Sequence, residues 1–297
     1  MGRGGGSSNG EPQPAPFIVG VARSGTTLLR LMLDAHTELT IPPETHFLPQ
    51  VVRAARGGGD PDAMVDVIAR HRRWQDFGLD EAELRARARA AASADATSVM
   101  RAFYELYAEG QAKARWGDKS TNYVRKLKQV RETLPEASFV HLIRDGRDVA
   151  LSQVRVHFGP DTMADAATKW RDEIAKARRV GPRLGRYIEL RYEDLVADPE
   201  PCLRQVCELI DLEWDEGMLE YRERAGERIG EIARDLERPG GEVVSAEARA
   251  KHQANVSQPL QADRAGGWRE RMSLEDREVF EGLAGDVLAE LGYEVGE

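Results

Sequence analysis

Four short groups of residues have the types and spacing for chemistry on an anionic group. The first, Arg23-Ser24-Gly25-Thr26-Thr27, follows the apolar run Phe17-Ile18-Val19 and Gly20-Val21 and leads into Leu28-Leu29, the order of a strand, a tight loop and a helix. Such a junction aims backbone N–H groups and the positive end of a helix dipole at one point, which suits a phosphate-like anion. From Gly20 to Thr27 the chain almost spells the triphosphate-binding loop G-x-x-x-x-G-K-[ST], with Thr26 where the lysine would stand. The cation that reaches β- and γ-phosphates is therefore missing, while Arg23 places another cation inside the turn. A 5′-phosphate-bearing group smaller than a triphosphate is the ligand that this loop predicts.

The second group is Glu44 and His46, which follow Pro42-Pro43. The prolines favour an extended turn, and two residues apart in such a segment the carboxylate and the imidazole point the same way. Either could serve as a general base, or both could be polar groups of a solvated turn. The third is Lys119 in Trp116-Gly117-Asp118-Lys119-Ser120-Thr121, read as a short turn between helical stretches. Its lysine bears on the chemistry only if the turn folds back onto the anion loop. In the fourth, the apolar run Phe139-Val140-His141-Leu142-Ile143 emits Arg144 and turns through Gly146 into a helix carrying Ser152. That is a second anion-binding geometry, unless Arg144 and Arg147 merely pair with Asp145 and Asp148 on the surface.

The elements that must hold these groups read as strands each followed by helices. Strands are expected over residues 17–21, 139–143 and 187–192. Their order implies a parallel sheet whose ligand crevice lies beyond the carboxyl ends of the strands, so both loops can face one ligand. The expected fold is α/β: a P-loop-like three-layer arrangement with a central, mainly parallel sheet and a helical insertion over about residues 50–112 that covers the acceptor site. Residues 1–15, rich in Gly, Ser and Pro, read as a disordered tail, and residues 16–297 as a single domain. Met163, Ala166, Ala167, Trp170, Ile174 and Ala177 recur at helical spacing as a core stripe, and Ser273 with Asp276 caps a last helix. Residues 238–263 form a polar stretch with the character of a lid or binding loop.

A composition of 41% hydrophobic and 31% charged residues is that of a soluble globular protein. The net charge of -9 argues against general nucleic-acid binding and leaves room for a local basic pocket. No apolar run has the length of a membrane span, and a cytoplasmic enzyme with no membrane partner is the expectation. Cys202 and Cys207 read as thiols, and no His, Cys or carboxylate group has metal-ligand spacing, so no metal is expected.

With both anion loops in view, the chain resembles the sulfotransferases that use 3′-phosphoadenosine 5′-phosphosulfate (PAPS). Residues 23–27 resemble the family's 5′-phosphosulfate loop, and Arg144 with Ser152 resembles its 3′-phosphate site. The resemblance implies PAPS as co-substrate, released as adenosine 3′,5′-bisphosphate (PAP), and explains the missing lysine: two separate anionic groups need two sites and no triphosphate cation. Arg23, the backbone of residues 24–27 and Lys119 become the candidates for stabilising charge on the bridging oxygen. Pro43-Glu44-Thr45 resembles the Glu-Glu-Thr segment of the tyrosylprotein branch, which makes Glu44 the favoured base with His46 as its rival, and Gly117-Asp118-Lys119 resembles that branch's lysine loop. As a base, Glu44 is expected to have its pKa raised by partial burial. Gly266-Gly267-Trp268-Arg269 resembles a segment beside the nucleotide, with Arg264 a further contact to the 3′-phosphate and Tyr192 a looser match to a nucleotide-contacting tyrosine. Gln258-Pro259 departs from the tyrosylprotein branch's Lys-Pro pair, which favours a small-molecule alcohol, phenol or sugar over peptide tyrosine as acceptor. A P-loop kinase or hydrolase, and a non-catalytic nucleotide binder, are the alternatives.

Overall fold

The computed structural model describes residues 12–154, 159–232, 234–237, 243–247 and 265–296. In chain order the elements begin with β1 (Ala15–Val19), α1 (Thr26–Asp34) and β2 (Leu39–Thr40), then α2 (Leu48–Ala55), α3 (Pro61–Ala69), α4 (Glu81–Ala90) and α5 (Ala96–Gly110). Next come β3 (Arg115–Trp116), β4 (Asp118–Lys119), α6 (Leu127–Thr133), β5 (Ala137–Ile143), α7 (Gly146–Gln153), α8 (Met163–Val180) and β6 (Tyr187–Arg191). The chain continues through α9 (Tyr192–Ala197), α10 (Pro199–Leu209), α11 (Arg222–Gly230), β7 (Leu236–Glu237), β8 (Val243–Val244), α12 (Trp268–Arg271) and α13 (Leu274–Glu290).

The central sheet has the order β4-β1-β5-β6 and all its pairings are parallel. Every residue of β1 and β5 is buried, which explains why both read as continuous apolar runs and not as alternating ones. Neighbours along β1 serve opposite faces: Phe17 packs with Phe103, Tyr104 and Phe139 from the side of α5, while Ile18 packs with Leu29, Met32 and Leu203 from α1 and α10. Helices thus cover both faces, giving the three-layer, P-loop-like α/β architecture. On α8, Met163, Ala166, Ala167, Trp170, Ile174 and Ala177 are buried as their spacing requires, with Trp170 against Phe280 of α13. Ser273 accepts from the Asp276 N–H at 3.1 Å and caps α13.

Three details differ from the sequence reading. First, β1 starts at Ala15, inside the stretch read as a tail; residues 1–11 lie outside the described residues. Second, residues 115–119 are not a plain turn: Arg115 and Trp116 pair with β2, and Asp118 and Lys119 pair with Phe17 and Ile18 as the sheet's edge strand. Two-residue strands carry no detectable periodicity. Third, most of the polar stretch 238–263 lies outside the described residues, as do Gln258 and Pro259, but Val243 and Val244 pair antiparallel with Leu236 and Glu237.

Candidate active site

The loop after β1 is shaped by its backbone before any side chain acts. Gly25 has φ 91°, and a Cβ there would stand 2.3 Å from Cδ2 of Tyr192, so the Tyr192 ring closes against the loop as only glycine permits. Gly25 carries no side chain to cap α1, and the helix start opens toward the crevice without a side-chain acceptor. Arg23 itself adopts φ 79°, a left-handed conformation that is costly for a side chain with a Cβ and is concentrated at functional sites.

Arg23 joins the two predicted phosphate sites into one cluster. Its Nε donates to Ser152 Oγ at 2.9 Å, and its carbonyl accepts from Arg144 Nη1 at 3.4 Å. Burial, and then the neighbouring Arg144 charge, lower the Arg23 guanidinium from its ordinary value. Two cations held near one another in a partly buried place favour an anion bound between them. The Arg144 guanidinium lies 4.4 Å from the Tyr192 ring centroid and 3.7 Å from Asp148, and Trp170 Nε1 donates to its carbonyl at 3.2 Å.

The second helix start is not the anion site that the sequence suggested. Asp145 caps α7 with its own side chain, accepting from the Arg147 N–H at 2.9 Å, and the Asp145 N–H donates to Glu193 at 3.0 Å. An internal carboxylate therefore occupies that dipole, and the cluster is built from Arg144 before the helix and Ser152 near its end. Arg147 is fully buried in pairs with Asp145 and Glu281, so its ion pairs are structural and not on the surface. Trp268 is buried, with the Arg147 guanidinium 3.5 Å from its ring centroid, and the Gly266 N–H donates to Asp148 at 2.9 Å. These two residues therefore brace the helix that carries Ser152. Arg264 lies outside the described residues.

Glu44, His46 and Lys119 do meet. Lys119 Nζ lies 3.0 Å from Glu44 Oε1 and donates to Thr27 Oγ1 at 3.4 Å, so one ammonium bridges the carboxylate and the anion loop. His46 Nε2 is 3.0 Å from Glu44 Oε2, and Arg73 Nη2 donates to the same oxygen at 3.2 Å. Burial alone would raise the Glu44 carboxyl, but Lys119, His46 and Arg73 beside it hold it well below the usual carboxylate range. The raised pKa expected for Glu44 is thus overturned: the protein supplies an ionised carboxylate. Burial lowers the Lys119 ammonium, with Glu44 opposing that shift.

The segment carrying Glu44 is anchored by a buried hydrogen-bond hub. Thr45 Oγ1 donates to Asp118 Oδ2 at 2.8 Å and lies 2.9 Å from Tyr123 OH; the Thr45 N–H donates to Ser120 Oγ at 3.1 Å, and Tyr104 OH donates to Asp118 at 3.0 Å. Because Asp118 and Thr45 adjoin Lys119 and Glu44, the hub fixes both side chains at once. It also holds His46 at φ 59°, a second left-handed residue in the crevice. Sequence reasoning missed the roles of Arg73, Thr45 and Asp118. The His71-Arg72-Arg73 run was the available signal for the first, lost in an arginine-rich insertion.

Comparison with known proteins places the chain in a family. The model of the sulfotransferase family matches residues 14–216, more than half of the chain, including both anion loops, Glu44 and Lys119. The chain belongs to the sulfotransferase family. It is 27% identical over 263 residues to protein-tyrosine sulfotransferase 1 of Danio rerio, covering 85% of this chain and 69% of that protein. It is 26% identical over 290 residues to protein-tyrosine sulfotransferase 2 of Gallus gallus, covering 95% and 70%. In fold it is similar to the sulfotransferase domain of the Synechococcus PCC 7002 olefin synthase, with a TM-score of 0.63, 23% identity and 98% of each chain covered.

Proposed function

We propose that this sulfotransferase moves the sulfuryl group of PAPS to a phenolic hydroxyl. The observation that carries the reading is Lys119, 3.0 Å from the Glu44 carboxylate and 3.4 Å from Thr27 Oγ1 at the uncapped start of α1. Base, cation and anion cradle share one crevice.

Each residue then has a task. Arg23, Ser24, Gly25, Thr26 and Thr27 hold the 5′-phosphosulfate with backbone N–H groups and one guanidinium, and Arg144 with Ser152 holds the 3′-phosphate against Tyr192. Glu44 accepts the proton of the attacking hydroxyl, and Lys119 faces the bridging oxygen as the S–O bond to it breaks and PAP leaves. His46 holds Glu44, and Arg73 from the helices over residues 48–110 closes the acceptor side. Trp268 and Gly266 support the 3′ side through the helix that carries Ser152. Fixed cations and dipoles suffice for this charge stabilisation, and among the described residues no group of His, Cys, Asp and Glu could hold a metal ion.

The depressed Glu44 carboxyl supports a phenolic acceptor in this reading. A weak base matches an acidic hydroxyl, so a phenol, with a pKa near that of tyrosine at about 10, suits it better than an alkyl alcohol or a sugar. Small phenols are the first reading. A tyrosine-bearing peptide is the second, favoured because the curated relatives are named protein-tyrosine sulfotransferases. Incubating the protein with PAPS and matched panels of phenols, alkyl alcohols, sugars and tyrosine peptides, with mass spectrometry for the sulfated product, tests both. Faster turnover of alcohols than of phenols would sink the phenolic reading. A cytoplasmic setting is also proposed, with which the free, buried thiols of Cys202 and Cys207 are compatible. Fractionation of cells producing the tagged chain checks that location.

A further inference from the structure

A buried charge cluster away from the transfer groups joins α1 to α11. Arg30 and Asp34, one turn apart on α1, grip both polar backbone atoms of one residue: Arg30 Nε donates to the Ile41 carbonyl at 2.8 Å, and the Ile41 N–H donates to Asp34 Oδ1 at 2.8 Å. Thr40 Oγ1 donates to the same carboxylate oxygen at 2.8 Å, and the Thr40 carbonyl accepts from the Gly117 N–H at 2.9 Å. Both reactive segments therefore leave from the joint at Thr40 and Ile41, one through Pro42 and Pro43 to Glu44, the other through Gly117 to Lys119. Two consecutive prolines fix φ, which leaves fewer torsions to absorb a displacement at Ile41 before it reaches Glu44.

Asp34 is itself held from α11. Arg228 Nη2 donates to Asp34 Oδ1 at 2.6 Å and to Thr40 Oγ1 at 3.0 Å, while its Nη1 donates to Gln111 Oε1 at 2.8 Å and also to Glu231. Arg30 Nη2 lies 3.5 Å from the other oxygen of Glu231. Arg30, Asp34 and Arg228 are all buried. Burial alone would raise the Asp34 carboxyl, but Arg228 and Arg30 bring it below its ordinary value. Apolar side chains of similar volume could fill such a place at lower desolvation cost. What the charges add is direction.

We infer that Arg228 is a positioning residue for sulfuryl transfer: by orienting the Asp34 carboxylate on the Ile41 peptide, it fixes the joint that sets Glu44 against Lys119. The inference rests on the reading of Glu44 and Lys119 as the transfer groups, but it has a test of its own. Lys119 is faced by Glu44, Arg30 and Arg73. If Glu44 slips, the ammonium loses its carboxylate and keeps its burial and its two cationic neighbours, so it deprotonates at lower pH.

The experiment is acetylation of the intact protein with acetic anhydride across pH, read at Lys119 by peptide mass spectrometry and normalised to Lys128, whose side chain is 75% exposed. R228M and the charge-balanced D34N/R228M should label Lys119 about tenfold faster than the wild type at mildly alkaline pH, a shift of about one pK unit. R228K, which keeps the charge and loses the planar fork, should fall between. Melting temperatures separate placement from stability, because the double variant no longer buries an unpaired carboxylate and should recover part of the stability that R228M loses. Lys119 labelling as slow as in the wild type in every variant that folds would overturn the inference, and R228K alone decides if the others unfold. Absence of sulfated product from the wild type would instead remove the proposed function and leave the labelling result standing.

Discussion

Replacing Lys119 with methionine tests the crevice where its charges are most tightly coupled. The ammonium lies 3.0 Å from Glu44 Oε1, with the two side chains 5% and 17% exposed, so solvent screens the pair weakly. Unit charges 4 Å apart attract by about 4 kcal/mol at an effective dielectric of 20, from which the desolvation of both groups is to be subtracted. Two consequences follow for Lys119→Met. In the proposed role toward the bridging oxygen, loss of the Lys119 cation should lower kcat by about 100- to 1000-fold, or about 3–4 kcal/mol, the scale of a removed oxyanion donor. The pH profile should move as well. In the wild type the Glu44 carboxyl is held well below 4.5, against burial, chiefly by Lys119. The carboxylate is then ionised through the mildly acidic range, and with Glu44 as the proposed base the acidic limb of kcat is expected below the ordinary carboxylate value. Without Lys119 the carboxyl rises and the limb moves to higher pH, with His46 and Arg73 limiting the movement. The same linkage acts on folding. A carboxyl depressed in the folded state contributes stability above its unfolded pKa, lost as pH falls through the folded one. Wild type and variant should therefore differ most in melting temperature near neutrality and converge in acid. Initial rates of phenol sulfation at saturating PAPS, from about pH 4 to 8, give kcat and the limb together. A kcat within about twofold of wild type, or an acidic limb that stays or moves down, would refute the reasoning.

Three further outcomes follow from the same geometry. Gly25→Ala puts a Cβ 2.3 Å from Tyr192 at φ 91°, and should lower stability by about 1–3 kcal/mol and abolish PAP-induced stabilisation, both read by thermal unfolding. Arg144→Met removes the guanidinium over Tyr192 and should weaken PAP binding about 10- to 100-fold by titration calorimetry, with little change in melting temperature without ligand. PAP at about 100 times its Kd should stabilise the fold by about 2.7 kcal/mol without metal, and ATP with magnesium by far less. The reverse order would favour a kinase or hydrolase.

The sequence was informative wherever the physics is local. A strand running into glycine and then a helix without the lysine of a triphosphate loop is written in residues 17–30, and the apolar runs of β1 and β5 are long enough to identify themselves. Glu44 and Lys119 were nameable by resemblance, but 75 residues separate them, and only the pairing of β4 with β1 and of β2 with β3 brings them to 3.0 Å. Those strands have two residues each, too short for any period. Electrostatics were the least accessible. Partial burial argued for a raised Glu44 pKa, and Lys119 and Arg73 from distant parts of the chain, together with the neighbouring His46, reverse the sign. The cap on α7 was hidden in plain view, since Asp145 stands at the position where a helix start takes an aspartate.

In the proposed reaction Glu44 takes the proton of an acceptor hydroxyl during transfer from PAPS. The measurement that meets it most directly is single-turnover formation of sulfated phenol from PAPS by wild type and Glu44→Gln, with PAP-induced thermal stabilisation recorded on the same samples. The wild type should give product bearing one added SO3 group, the variant a rate about 100- to 10,000-fold lower, and both an undiminished PAP shift. A Glu44→Gln protein that transfers at the wild-type rate would contradict it.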